Sequence, residues 1–309
     1  MGSVGNRHVD IIREYYPESQ IYAYISSNRV NLRDEVIPIY NYNNIFQRNY
    51  YAAFISNPTF LHVSTAIDCA KNNINLFIEK PLSHSLESVI YLRDKVDQNN
   101  LISYVAYNLR FHPILQYLKD LITKEKPYYF KSTCSSYLPN WRPSQDYRTS
   151  YSSDGSKGGG VVLDVSHEID YINWFNEIKS MKMKIGKVSN LEINSEDVAD
   201  IQVKCKDFEG LIHLDYFSRV AERTIKLYFE DKNVYANLIE NKVTIVNHDR
   251  TETIDFESAC LDLSYRQQIK YFFNCVNDGK NPMNSLSESL PLFEKIIKAK
   301  ESAEIYGKY

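Results

Sequence analysis

Apolar positions in the first 107 residues follow two alternating patterns. Short apolar runs predict strands at Ile21–Ile25, Tyr51–Ser56, Ile74–Ile78 and Leu101–Tyr107. Between these runs, apolar residues recur every three or four positions and predict helices at Gly5–Tyr16, His62–Asn72 and Leu86–Val96. Strands that alternate with helices over short connections favour right-handed crossovers and a parallel sheet. We therefore predict an α/β domain over residues 1–107.

The pattern changes after a linking helix at His112–Lys124. Further apolar runs predict strands at Tyr128–Tyr137, Met181–Val188, Ala199–Lys206, Leu211–Phe217, Thr224–Phe229, Val234–Ile239 and Lys242–Val246. Several of these strands are joined too tightly for helical crossovers, so their sheet is predicted to be open and largely antiparallel. Helices at Asp262–Val276 and Ser287–Tyr306 complete an α+β domain over residues 108–309.

The sequence pattern does not show the first strand that such a parallel sheet normally has. In a doubly wound sheet the first strand is central, and its loss leaves backbone groups of its neighbours unpaired. Here no strand pattern precedes the helix at Gly5–Tyr16. One hypothesis is that the protein starts upstream and that about ten residues, one strand's length, are missing. The other is that the sequence is complete and its nucleotide site is impaired.

Composition argues against several classes of protein. The chain has 36 Lys and Arg against 39 Asp and Glu, so no overall charge favours nucleic acid or an anionic membrane. No segment approaches the roughly 20 apolar residues of a membrane span, and no signal peptide is recognisable. The five scattered cysteines predict reduced thiols in a cytoplasmic protein. The seven histidines form no ligand pattern, so no metal is predicted.

Two segments near the N-terminus are candidate nucleotide contacts. Gly2-Ser3-Val4-Gly5 directly precedes a predicted helix, where glycines let backbone N–H groups approach a pyrophosphate. A chain end that runs into a helix explains the same residues. Ser26 and Arg29 follow the Ile21–Ile25 strand, where an acidic residue would favour NAD. They could accept a 2′-phosphate, or Arg29 could stack on adenine, and a solvated turn is the alternative. NAD and NADP are both left open.

Two further turns follow predicted strands. Ser56-Asn57-Pro58 is a candidate contact of the nicotinamide ribose, together with His62 at the start of the next helix. The alternative for His62 is a structural helix-start histidine. Glu79-Lys80-Pro81 ends the following strand, and a lysine at the carboxyl end of a parallel strand faces the ligand crevice. Its ammonium can hydrogen-bond a substrate hydroxyl and favour the loss of its proton.

The remaining acid–base candidates are predicted on one helix. Gly158-Gly159-Gly160 precedes a helix over Val161–Phe175, on which Asp164, His167 and Asp170 recur every third residue and share a face. His167 suits general acid–base chemistry near neutral pH, with Asp164 or Asp170 to orient it. A capping aspartate and a core histidine are the alternative. We expect Lys80 to face the same cavity as this pair.

Residues in the loop before the glycines are candidate substrate contacts: Trp141, Arg142, Tyr147 and Tyr151. Arginine and aromatic side chains suit a sugar or a nucleotide phosphate, and a loop salt bridge is the alternative. Asn108, Arg110 and His112 follow the strand that ends at Tyr107 and could border the same cleft. Asn108 is assigned to the cofactor and Arg110 to the substrate.

These segments together resemble the Gfo/Idh/MocA family, named for glucose–fructose oxidoreductase, inositol dehydrogenase and a rhizopine catabolism protein. The resemblance spans nearly the whole chain and rests on Gly2–His8, Ser56-Asn57-Pro58 with His62, Glu79-Lys80-Pro81, Tyr107–Pro113 and Gly158–Asp170. It implies a dinucleotide-binding Rossmann-like domain over residues 1–107 and a substrate-binding and oligomerisation domain over residues 108–309. It also implies that Lys80 and His167 are catalytic and that Asp164 assists them.

The resemblance implies an NAD(P)-dependent oxidoreductase that acts on a sugar or sugar-nucleotide hydroxyl or keto group, as a homodimer or homotetramer. Surface-glycan synthesis is the expected context. The chain departs from the family in lacking the first strand and first glycine, and its Asp164–His167 spacing is one residue shorter than in many inositol dehydrogenase-like members. The alternatives are an NAD-dependent glycosidase of the same fold and a degenerate, non-catalytic binding protein.

Overall fold

The computed structural model describes residues 2–25, 33–257 and 260–307. As far as residue 124, its helices and strands are α1 (Ser3–Tyr15), β1 (Ile21–Tyr24), β2 (Val36–Ile39), β3 (Ala52–Ile55), α2 (His62–Lys71), β4 (Asn75–Ile78), α3 (Val89–Gln98), β5 (Ser103–Val105) and α4 (Pro113–Lys124). The remainder are β6 (Tyr129–Tyr137), α5 (Val161–Asp164), α6 (His167–Phe175), β7 (Ile178–Gly186), β8 (Val198–Cys205), β9 (Glu209–Asp215), β10 (Phe217–Tyr228), β11 (Lys232–Asn237), β12 (Lys242–Asn247), β13 (Thr251–Asp255), α7 (Cys260–Asp278), α8 (Leu286–Glu301) and β14 (Glu304–Ile305).

The chain divides into two compact units. The first holds Met1–Ser83, Glu87–Ala106 and Arg266–Glu288, and the second holds His84–Leu86, Tyr107–Tyr265 and Ser289–Tyr309. The segment Arg266–Glu288 therefore packs with the N-terminal part of the chain. Its Phe272 side chain is fully buried and lies 5.4 Å, centroid to centroid, from the ring of Phe77 in β4. Helical periodicity predicts that this segment is a helix but carries no information on its packing partner.

The first unit contains two parallel sheets. β1 pairs with β2, and β3, β4 and β5 form a three-stranded sheet in that order. Within the described ranges no strand joins β1 to β3, so the strand order is that of a doubly wound sheet without its first strand. β4 is the most buried strand, since Leu76, Phe77 and Ile78 are inaccessible to solvent.

The second unit contains a nine-stranded sheet in the order β13-β12-β11-β10-β6-β9-β8-β7-β14. All neighbours are antiparallel except the pairs β6–β9 and β7–β14. Alternate residues on one face, such as Phe130, Ile201, Ile212 and Ile225, are fully buried. The helices α5 and α6 contact this face. The predicted combination of a parallel α/β unit and a largely antiparallel sheet is confirmed.

The prediction of one helix over Val161–Phe175 is wrong. α5 ends at Asp164 and α6 begins at His167, because the backbone of Val165 leaves helical geometry with φ −108° and ψ 27°. Val165 is itself buried, so the apolar periodicity runs through the break without a signal. Asp164 therefore does not share a helical face with His167 and Asp170.

None of the described helices has both the length and the apolar character needed to cross a bilayer. The longest, α7, carries charged and polar residues along its whole length, which is typical of a helix that packs with one side on a protein core.

Candidate functional site

Lys80 follows the most buried strand of the first unit. β4 ends at Ile78, and the backbone N–H of Glu79 donates to the carbonyl oxygen of Ile55, 3.0 Å away, at the end of β3. The turn Glu79-Lys80-Pro81 thus continues from the aligned carboxyl ends of two parallel strands. Lys80 is half-buried there. Open parallel sheets bind their ligands at this end, so the lysine lies where a reacting group is useful.

His62 links this turn to the turn after β3. Its Nδ1 lies 2.9 Å from the carbonyl oxygen of Pro81, and its Nε2 lies 2.9 Å from the carbonyl oxygen of Asn57. Both partners are acceptors, so a neutral ring donates one hydrogen bond and a protonated ring donates two. Burial lowers the pKa of His62, which favours the neutral ring. The first residue of α2 thereby braces two of the predicted cofactor turns.

A second buried histidine holds Glu79. The Nε2 of His8, in α1, lies 2.6 Å from the Oε1 of Glu79, and the His8 ring packs against Phe54 and Phe77. No role is predicted for His8 from the sequence. The available signal was a titratable residue beside Val9 on the apolar face of α1, which identifies a buried histidine but not its partner.

The Gly2–Gly5 segment forms the first turn of α1 and not a loop before it. Gly2 is the N-cap, and Ser3, Val4 and Gly5 are helical, so the expected helix start at Gly5 is corrected to Ser3. The N–H of Asn6 closes the turn on the carbonyl oxygen of Gly2 at 3.0 Å. The leading N–H groups of a helix have no intrahelical acceptor, and together with the helix dipole they suit a phosphate.

The remaining predicted cofactor contacts lie in different settings. Ser56 and Asn57 are half-buried after β3, and the Asn57 amide donates to the Thr65 hydroxyl at 2.9 Å. Pro58 is exposed. Ser26 and Arg29 lie outside the described residues, so their assignment stays a prediction.

In the second unit, Asp164 ends α5 and is almost fully buried. Its Oδ2 accepts a hydrogen bond from the hydroxyl of Tyr216 at 2.6 Å. The charge of Asp164, followed by burial, raises the pKa of Tyr151, so a second tyrosine lies close to the same carboxylate. Tyr216 was not predicted as a site residue, because it lies at the end of an apolar run that predicts a strand.

His167 is the first residue of α6 and is 8% exposed. The ring of Tyr107 meets it edge-on, with centroids 5.6 Å apart and planes at 82°. Only Val165 and Ser166 separate it from Asp164 in the sequence. The break between α5 and α6 removes the helical geometry predicted for these two residues, and their acid–base role stays a prediction.

Asp170 and Arg110 form a buried ion pair. The Arg110 Nε lies 2.9 Å from Oδ2 of Asp170, and Nη2 lies 2.6 Å from Oδ1. Both carboxylate oxygens thus bind the guanidinium, and the role of Asp170 in orienting His167 stays a prediction. The Asn108 amide donates to the Ser264 hydroxyl at 2.6 Å, and His112 is buried as the N-cap residue of α4.

The loop candidates separate into two groups. Trp141 lies edge-on to Tyr216 at 5.2 Å, and the Arg142 guanidinium lies 5.9 Å from the Tyr151 ring centroid. These residues therefore gather around the tyrosines that adjoin Asp164. Tyr147 instead accepts a hydrogen bond from the backbone N–H of Glu192 at 3.2 Å.

The glycine triplet before α5 is required by close packing. A Cβ at Gly159 would lie 2.3 Å from the carbonyl oxygen of Tyr151, and one at Gly160 would lie 2.3 Å from the Glu196 carboxylate. Gly160 also has φ +109°, which side chains of L-residues rarely adopt. The glycines therefore allow the Tyr151 segment to pack against the start of α5.

In the part of the chain that the structure describes, no cluster of three or more His, Cys, Asp or Glu side chains is arranged to hold a metal ion. The five cysteines are free thiols.

Residues 1–107 match the sequence model of the Gfo/Idh/MocA family, an oxidoreductase family with an NAD-binding Rossmann fold. The match covers 107 of the 309 residues, the part of the chain that holds the parallel strands. The resemblance inferred from the motifs is confirmed, as is the prediction of an oxidoreductase with a nicotinamide nucleotide as cofactor.

Similar proteins of known activity extend the similarity beyond residue 107. The scyllo-inositol 2-dehydrogenase (NAD(+)) of Bacillus subtilis is 25% identical over 75% of this chain and 69% of its own. The D-xylose 1-dehydrogenase (NADP(+)) 2 of Haloferax volcanii is 22% identical over 82% of this chain and 78% of its own. The solved structure of UDP-N-acetylglucosamine 3-dehydrogenase from Acidithiobacillus ferrooxidans covers 98% of this chain and 95% of its own, with a TM-score of 0.80 and 15% identity. That structure shows the same fold.

Proposed function

We propose that this protein is an NAD(P)-dependent oxidoreductase that interconverts a hydroxyl and a keto group on a sugar or sugar nucleotide. The observation that carries the proposal is the Glu79-Lys80-Pro81 turn at the end of β4, which His8 and His62 brace from two helices. Dehydrogenases of inositol, xylose and a UDP-sugar among the similar proteins support the substrate class.

The first unit is assigned to the nicotinamide nucleotide. The start of α1 would hold the pyrophosphate, and it fits because Gly2, the N-cap, and Ser3, the first helical residue, are both exposed. The other cofactor contacts are those predicted from the sequence: Ser26, Arg29, Ser56, Asn57, Pro58, His62, Glu79, Lys80, Pro81 and Asn108. When bound, the nucleotide supplies the hydride acceptor or donor. Similar proteins of both NAD and NADP specificity leave both cofactors in the proposal.

The residues of this chain handle the proton. Lys80 donates a hydrogen bond to the reacting oxygen and favours its deprotonated form. His167 accepts the hydroxyl proton in the oxidative direction and returns it in the reductive direction, with Asp164 supporting the ring. Trp141, Arg142, Tyr147 and Tyr151 are assigned to the substrate. Arg110 supports the substrate site through Asp170 and α6, because its guanidinium is already bound to that carboxylate.

A sugar nucleotide used in surface-glycan synthesis is the narrower substrate proposal. Arg142 is exposed beside Trp141, and an arginine next to an aromatic ring suits a phosphate attached to a sugar. A screen of UDP- and dTDP-sugars against free sugars separates this proposal from a simple sugar dehydrogenase.

The direct test is mass spectrometry of small molecules released by denaturing the purified protein, together with titration of NADH and NADPH followed by fluorescence. We expect one of the nucleotides to be released or to bind, and a sugar-dependent change in nicotinamide absorbance to follow. Sugar release without a net absorbance change would identify the glycosidase alternative instead. No release and no binding would favour a degenerate binding protein and end the dehydrogenase proposal.

Assembly as a homodimer or homotetramer is assigned to the outer face of the nine-stranded sheet. Tyr129 and Tyr228 pair across neighbouring strands there, with Leu211 and Tyr235 on the same face. Aromatic residues of this kind are enriched in interfaces. Light scattering of the purified chain should give a multiple of 36.1 kDa, and Tyr228→Asp should reduce that mass. A monomeric wild-type protein would contradict the assignment.

A further inference from the structure

The strongest feature left unused by the proposed mechanism is the environment of the Asp164 carboxylate. Tyr216 is completely buried, and its hydroxyl donates to Oδ2 of Asp164 at 2.6 Å. The Tyr216 backbone is fixed on both sides, because its N–H donates to the carbonyl oxygen of Asp197 and its carbonyl oxygen accepts from the N–H of Leu138, each at 2.9 Å. Tyr216 lies between β9 and β10, so these two hydrogen bonds fix the backbone that carries its hydroxyl.

A second tyrosine approaches the same carboxylate from another segment. Asp164 is the largest influence on the pKa of Tyr151, ahead of burial, and raises it. Burial, followed by Asp164, raises the pKa of Tyr216 well above its usual value, so both phenols stay protonated and can donate. Gly159 permits this arrangement, since a Cβ there would displace the carbonyl oxygen of Tyr151.

We propose that Tyr216 is a positioning residue that holds the Asp164 carboxylate in a fixed orientation, with Tyr151 as a second support. The catalytic part of this inference rests on the proposed function of Asp164. A hydrogen bond from a buried, fixed hydroxyl restricts the carboxylate to one orientation, and supporting residues of this kind typically change activity by about 10–100-fold. Two other charges lie near the tyrosines. The charge of Arg142 opposes the rise in the pKa of Tyr151, and the charge of Glu196 adds to the rise in the pKa of Tyr216.

The chain offers a matched control. Tyr171 is also fully buried, and its hydroxyl is hydrogen-bonded to the Ser132 hydroxyl, 2.6 Å away, and not to a carboxylate. Tyr216→Phe and Tyr171→Phe each remove one buried hydroxyl with one hydrogen bond of the same length. A purely structural role for Tyr216 predicts similar falls in melting temperature for the two variants and no difference in chemistry.

The experiment compares wild type, Tyr216→Phe, Tyr151→Phe and Tyr171→Phe. In Tyr216→Phe we expect kcat to fall by about 10–100-fold with nicotinamide nucleotide affinity unchanged. We also expect Tyr151→Phe to lower kcat by less, and the KM for the sugar to stay unchanged in both variants. Tyr171→Phe should keep the wild-type kcat. Equal behaviour of Tyr216→Phe and Tyr171→Phe would overturn the inference.

A second readout does not need turnover. The carboxyl ¹³C signal of Asp164, assigned by its loss in Asp164→Asn, is compared by NMR in the same variants at one pH. Its chemical shift should change in Tyr216→Phe but not in Tyr171→Phe, because only the first substitution removes a hydrogen bond to that carboxylate, and an unchanged shift in Tyr216→Phe would overturn the inference. If the shift changes but wild type shows neither turnover nor nucleotide binding, the positioning of Asp164 stands and the proposed function fails.

Discussion

Lys80→Met should abolish sugar-dependent turnover and leave the affinity for the nicotinamide nucleotide largely intact. Methionine keeps most of the volume and flexibility of the side chain but cannot donate a hydrogen bond to the reacting oxygen. The turn itself should survive, because His62 binds the Pro81 carbonyl oxygen and His8 binds the Glu79 carboxylate without help from the lysine. We expect a loss of about 10²–10⁴-fold in kcat, measured by steady-state kinetics, with cofactor binding measured by fluorescence titration.

Lys71→Met is the control for this substitution. Lys71 is an exposed lysine at the end of α2 in the same unit, so its replacement removes one charge without affecting the turn. Wild-type kinetics are expected for it. Turnover by Lys80→Met equal to that of Lys71→Met would remove Lys80 from the mechanism and leave the braced turn with a purely structural role.

Of the single substitutions proposed for this protein, Asp170→Asn should lower the free energy of unfolding most. The Arg110 side chain is 8% exposed and that of Asp170 is 2% exposed, so the substitution leaves a buried guanidinium without its countercharge. Burial raises the pKa of Asp170, and the neighbouring charge of Arg110 opposes that change. Removing one member of a buried pair costs about 3–5 kcal/mol, a large part of the about 5–15 kcal/mol that stabilises a typical protein. Chemical denaturation measures the loss.

Two comparisons make this result interpretable. The pair of Arg148 and Asp146 has a similar geometry, but its side chains are 51% and 41% exposed, so Asp146→Asn should leave the unfolding midpoint near that of wild type. The double substitution Arg110→Met with Asp170→Leu removes both charges and should recover most of the stability. If Asp170→Asn unfolds at the same denaturant concentration as Asp146→Asn, burial of the pair does not determine its contribution.

The turn after β4 was predictable because its signal is local. An apolar run ends abruptly at Glu79. Glu-Lys-Pro alone is common in surface turns, and its position at the carboxyl end of a predicted parallel strand is what indicated the ligand-binding edge of the sheet. The braces of that turn were less accessible. His8 lies 71 residues from Glu79 in the sequence, and nothing in the pattern of α1 specifies which strand end its ring meets.

Two strands, β2 and β13, and the contact of Tyr216 with Asp164 were not predicted, because each depends on more than the local sequence pattern. β13 is almost entirely exposed and polar, and it is a strand only because β12 supplies its hydrogen-bond partners. β2 contains Pro38. A proline makes a strand harder to recognise in the sequence, although β2 accommodates it while paired with β1. Tyr216 lies 52 residues from Asp164, so the contact that gives it a role is invisible to any local pattern.

The edge of the nine-stranded sheet also affects how the protein behaves in concentrated solution. Among the described residues, β13 pairs only with β12. A row of unpaired N–H and C=O groups is a template for a strand from another molecule, and charged side chains on an edge strand oppose such pairing. The exposed Glu252 in β13 should therefore limit aggregation through this edge, independently of the chemistry at Lys80.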